Sequence, residues 1–194
     1  PGEEKTPGGA TLMMSDGILE NPTVDEMYAL HVFPDLKAGK VGFKKGRYMA
    51  SCDEIYITIV GKGGHAAMPE KCIDPITIGA TMVLQMQQII SRKCDPKIPS
   101  VLSFGHFEGL GATNVIPSTV KLKGTFRTMD EKWREEALAL IKKQVSKIAE
   151  LNGAKSIIEI AKGYPFLDND FKLTDELKEK AKNLLGNSNV IDLP

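Results

Sequence analysis

Glu54-Ile55-Tyr56-Ile57-Thr58-Ile59-Val60-Gly61-Lys62-Gly63-Gly64-His65-Ala66-Ala67-Met68-Pro69 is where the chain declares its organisation. The first seven residues are mostly β-branched or aromatic. Ile55, Ile57 and Ile59 recur at every second position, the pattern of a strand with one buried face. Three glycines in the next four positions let backbone approach a ligand or another chain closely, and they leave His65 at the tip of a loop. Asp74 then offers an N-cap and Pro75 a first helical residue, which predicts a helix to about Arg92.

Working outward, Ser100 to Phe107 reads as a second strand and Thr119 to Thr128 as a third, with Val120, Leu122, Gly124 and Phe126 in alternation. The connection Gly109-Leu110-Gly111-Ala112-Thr113-Asn114 is longer than a hairpin turn needs. Thr128 and Glu131 have capping-box spacing for a second helix. Its apolar stripe is Trp133, Ala137, Leu140, Ile141, Val145, Ile148 and Leu151, and Asn152-Gly153 ends it. Lys155 to Lys162 is the fourth strand. The order over 53–162 is β-α-β-β-α-β, the ferredoxin-like split βαβ arrangement, with two helices on one face of an antiparallel sheet.

The flanks hold less. A short helix is expected from Gly8 to Ile18, and a buried strand over Met27 to Val32 that carries His31 at its carboxyl end. Extended segments follow at Lys40 to Phe43 and Arg47 to Ser51, and Lys44-Lys45-Gly46-Arg47 reads as a solvated turn. After a linker at Gly163-Tyr164-Pro165 come a helix over Thr174 to Leu185 and the start of a strand at Val190-Ile191. The fold class is therefore α+β, with a compact domain at 53–163 inserted between two pieces of another, 1–52 and 164–194. Pro1-Gly2-Glu3-Glu4 has no initiator Met and no signal-peptide pattern, so the chain reads as a segment of something longer.

Composition narrows the function. Among 194 residues, Lys plus Arg and Asp plus Glu both number 25, so the net charge is zero. No long-range field draws in nucleic acid or an anionic membrane. No apolar run approaches the ~18 residues of a membrane span. Cys52, Cys72 and Cys94 are three in number with no CxxC pair, which argues against a disulfide framework or thiolate zinc site and fits a reducing, cytoplasmic setting.

Five ordered stretches resemble the M20 family of metal-dependent amidohydrolases and peptidases, and within it the group acting on N-acyl amino acids and hippurate-like amides. They are Pro1-Gly2-Glu3-Glu4 with Gly8-Gly9-Ala10; Ala29-Leu30-His31-Val32; Gly61 to Pro69 with Ile73-Asp74-Pro75-Ile76; Gly111 to Pro117; and Gly124-Thr125-Phe126-Arg127-Thr128. The resemblance implies that 53–163 is a lid and dimerisation domain set into an incomplete α/β metallopeptidase catalytic domain. It implies a homodimer paired through that lid, two divalent ions (Zn, Mn or Co) in the intact parent, and an N-acyl amino acid or peptide as substrate.

Roles follow residue by residue from the same resemblance. Glu3 matches the general base and Glu4 the carboxylate metal ligand beside it, while His31 matches an imidazole ligand. His65 matches the donor that the lid reaches across the dimer to a developing oxyanion. Asn114 matches a polar substrate contact, and Arg127 the guanidinium that pairs with the substrate carboxylate. Read without the family, Asn114 equally suits a left-handed loop position, and Arg127 a salt bridge at the rim of a sheet.

The family's upstream histidine, its Cys-Gly-His-Asp type motif and its late histidine ligand have no match here, and His106 lies inside a strand. Glu4 and His31 are too few ligands for a pair of ions, so this chain alone is expected to bind none fully and to be inactive. The alternative is a non-catalytic ferredoxin-like module for dimerisation or small-ligand binding.

Overall fold

The computed structural model describes residues 8–194. In chain order its elements are α1 (Gly9–Ser15), β1 (Val41–Phe43), β2 (Gly46–Met49), β3 (Asp53–Val60), β4 (Gly64–His65), α2 (Pro75–Lys93) and β5 (Ser100–Glu108). There follow β6 (Val115–Ile116), β7 (Thr119–Thr128), α3 (Glu131–Leu151), β8 (Lys155–Lys162), β9 (Leu167–Asn169), α4 (Phe171–Leu185) and β10 (Val190–Asp192). Two compact units result. One is Met49–Phe166; the other comprises the residues up to Tyr48 together with Leu167–Pro194.

In the larger unit the sheet order is β5-β7-β3-β8, and every neighbouring pair is antiparallel. Numbered within the unit, the four strands lie in the order 2-3-1-4, joined by two helices, which is the split βαβ order. The alternation seen in the sequence is the alternation of burial: Ile55, Ile57 and Ile59 are sealed, as are Val120, Leu122 and Phe126 on β7. Ile78, Met82, Met86 and Ile89 of α2 and Ala137, Ile141 and Val145 of α3 close the other side of this core. On the opposite face of the sheet Glu54, Tyr56, Lys121, Lys123, Arg127 and Glu159 stand exposed.

The start of α2 follows the sequence reading, since the Asp74 side chain accepts from Ile76 N at 2.8 Å with Pro75 in the first turn. The start of α3 does not. Asp130 is the N-cap, its carboxylate accepting from Trp133 N at 2.8 Å. Thr128 is still in β7 and buried, its N–H donating to Ser51 Oγ at 3.1 Å and its hydroxyl to Pro99 O. Thr128 is thus spent on the sheet, and Glu131 accepts from Arg134 and from Phe166 N. The buried side of α3 also takes in Arg134 and Leu138, whereas Leu151 is exposed.

In the smaller unit β1 runs parallel to β10 with Val41 opposite Val190, and β2 pairs with β9. The helix α4 begins at Phe171, capped by Asp170 accepting from Leu173 N at 2.8 Å, three residues earlier than Thr174. The run Lys44-Lys45-Gly46-Arg47 is more than a solvated turn, since Lys45 pairs with Asp175 and Gly46 opens β2. The expected buried strand over 27–32 is absent among the described residues: the segment has no regular secondary structure, and Met27, Leu30 and Val32 are 70%, 89% and 81% exposed. A run this apolar forms a buried strand only where neighbours cover both edges and faces, and among the described residues no strand of this unit pairs with it.

Candidate functional site

The strand β3 ends at Val60 and delivers the chain into the glycine loop. The glycines make room for this chain's own backbone. A Cβ at Gly61 would collide with the Ile73 carbonyl, and one at Gly63 with the carbonyl of Ile116. With that space free, Lys62 and Ile73 exchange backbone bonds at 2.9 Å, and β4 pairs with β6, setting His65 opposite Val115. Ala66 N donates to Asn114 O at 2.9 Å. His65 and Asn114, 49 positions apart by number, therefore lie on adjoining loops, and both are exposed.

The His65 ring is held by its own loop, because Ala67 N donates to Nδ1 at 3.1 Å. A backbone N–H cannot accept, so Nδ1 carries the lone pair and the neutral ring's proton sits on Nε2. His31 has the opposite arrangement. Its Nδ1 lies 2.6 Å from Val32 O, so Nδ1 is the donor and Nε2 holds a free lone pair, the form that binds metal ions. His31 is exposed and belongs to the smaller unit.

Arg127 sits near the far end of β7, exposed on the open sheet face. Eight residues separate it from Thr119, about 26 Å of strand, and Thr119 pairs with Val60 at the end from which the His65 loop departs. The His65–Asn114 loops and Arg127 thus leave opposite ends of the strand. No described residue other than glycine has positive φ, so Asn114 is not left-handed, and among the described residues Arg127 forms no salt bridge.

Glu3 and Glu4 lie outside the described residues. Among the described residues no three His, Cys, Asp or Glu side chains gather as a metal site, and a zinc site takes three or more protein ligands, so these residues do not fit a metal ion by themselves. His106 lies on β5 with Nε2 3.7 Å from Glu108. All three cysteines are free, and no described helix is long and apolar enough to cross a membrane.

One polar cluster had no signal in the sequence. Arg134, 1% exposed, donates to both carboxylate oxygens of Asp53, which is fully buried. It also donates to Gly163 O at 2.9 Å, and Gly163 N donates back to Asp53. Asp53 and Arg134 are 81 positions apart, beyond any local motif.

The fold and its loops define an α+β module that presents a histidine from the end of a four-stranded sheet. Residues 53–152 match the M20 family's peptidase dimerisation domain, and the chain belongs to that family. It is 41% identical over 162 residues to the N-acyl-L-amino acid amidohydrolase of Geobacillus stearothermophilus, covering 84% of this chain and 43% of that one. It is 34% identical to the hippurate hydrolase of Campylobacter jejuni over 97% of this chain and 49% of the relative. Among solved structures, the Bacillus subtilis YXEP protein, described as a dinuclear metal binding peptidase from the M20 family, superposes with a TM-score of 0.70 at 26% identity, covering 98% of this chain and 46% of that one. The chain thus spans about half the length of the curated relatives it matches.

Proposed function

We propose that this chain is the lid and dimerisation part, with flanking pieces of a catalytic domain, of a cytoplasmic M20 amidohydrolase that hydrolyses N-acyl amino acids or small peptides. The observation that carries the reading is the His65–Asn114 pair: two loops from different parts of the chain, tied backbone to backbone, each carry one of these exposed residues, and the His65 ring keeps its Nε2–H free to donate. Relatives of like sequence are named for the hydrolysis of N-acyl amino acids and of hippurate. A hydrogen-bond donor held ready for the anionic oxygen of a tetrahedral intermediate is what that reaction needs.

In this reading two divalent ions, Zn, Mn or Co, belong to the full-length protein, with Glu4 and His31 among their ligands and Glu3 as general base. His65 donates from Nε2 to the developing oxyanion in the other subunit of a homodimer joined through the lid. Asn114 contacts the same substrate, and Arg127 pairs with a substrate carboxylate through its two-pronged guanidinium. Because His65 and Arg127 leave opposite ends of β7, one lid does not bring both to one small substrate. Two subunits do.

The reading is tested by mixing full-length variants. His65→Ala and Arg127→Ala proteins, each impaired alone, regain activity on subunit exchange if one site draws His65 from one chain and Arg127 from the other. No recovery in proven mixed dimers contradicts the shared site.

A further inference from the structure

The loop that carries His65 also decides where its ring holds a proton. Met68 N donates to His65 O at 2.9 Å, closing a tight turn. Within it the ring accepts from Ala67 N two residues on, as an Asp or Asn side chain does in a turn of this kind. The bonds to β6 and from Ala66 N to Asn114 O pin the backbone on either side.

We propose that the Ala67 amide is a positioning group that locks neutral His65 in its Nε2–H form, so that the exposed ring edge is a donor toward an anionic oxygen. The inference rests on the reading of His65 as an oxyanion donor and names what makes it one. The other neutral form would set the Nδ1–H against the Ala67 N–H and turn a lone pair toward the anion. Both changes are unfavourable, one in the loop and one at the ligand. The lock lets a neutral ring donate reliably, with no protonation step before catalysis.

The test uses this chain labelled with ¹⁵N, at a pH about two units above the ordinary imidazole pKa of ~6.5. The lock predicts an unprotonated Nδ1 and a protonated Nε2 for His65, with a through-hydrogen-bond coupling between Nδ1 and the Ala67 nitrogen. Ala67→Ser keeps the amide and should keep both signatures. Ala67→Pro removes the amide and should give a mixture of the two neutral forms, with the β3 and β7 amide signals as the check on folding. A protonated Nδ1 or a mixture in the unmodified chain overturns the proposal, and so does an unchanged tautomer in folded Ala67→Pro. If the proline variant does not fold, the tautomer and coupling of the unmodified chain decide alone. None of these readouts involves turnover. A locked ring together with an unchanged kcat for full-length His65→Ala would sink the oxyanion role and leave the lock standing.

Discussion

Arg134 donates to both carboxylate oxygens of Asp53, from Nη2 at 2.7 Å and from Nε at 2.8 Å, in a pair that is almost fully buried. Hydrogen bonds to Asp53, then to Glu131, outweigh the cost of burial and push the guanidinium above its already high range, so it stays charged at any working pH. The same two side chains hold Gly163, so the segments entering and leaving the larger unit are fastened at one point. Removing one partner strands the other charge, and Arg134→Met should cost about 3–5 kcal/mol. Urea unfolding checks this. The double variant Asp53→Leu, Arg134→Met should lose much less than the sum of the singles.

The loop glycine makes a sharper local prediction. Gly63→Ala forces a methyl against the Ile116 carbonyl, which should break the β4–β6 pairing and cost about 1–3 kcal/mol, as overpacking does. The amide signals of His65, Ala66 and Val115 should move while those of β8 stay in place. Gly105→Ala is the control, since a Cβ there meets nothing within 4 Å.

Tyr56 carries a pH prediction. Its hydroxyl donates to Glu54, and this bond, followed by burial and the Glu54 charge, raises the phenol above its ordinary value. A raised folded-state value means the pair contributes stability in full below the unfolded pKa of ~10. That contribution is lost as pH rises through the folded value. Absorbance titration should find Tyr56 ionising later than free tyrosine, and Glu54→Gln should bring it back down.

The strands of the larger unit were legible because each buries one face, and period-two alternation over Ile55, Ile57 and Ile59 has no other simple cause. Both long helices were equally clear, though Asp130 rather than Thr128 caps α3, since Thr128 is claimed by Ser51 and Pro99, residues a local motif cannot see. Met27 to Val32 misled because hydrophobicity signals a strand only where neighbours exist to cover it. Of the site, the sequence placed His65 and Asn114 on loops but could not show that β4 and β6 join them. Nor could it find Asp53 and Arg134, whose pairing depends on the register of β3 under α3.

In the full-length protein, His65→Ala should lower kcat by about two to three powers of ten with little change in KM, the loss expected for one oxyanion donor. Steady-state kinetics on one N-acyl amino acid suffices. An unchanged kcat would return His65 to a loop-building role.

The most direct test is hydrolysis of a panel of N-acetyl and N-benzoyl amino acids by the full-length protein, with and without a metal chelator, beside this chain alone. The expected result is turnover by the full-length protein that chelator abolishes and added Zn, Mn or Co restores, with none from the chain alone. Turnover by the chain alone would contradict the ligand count. No turnover by a full-length protein that still dimerises would contradict the enzyme reading and favour a pairing module without catalysis.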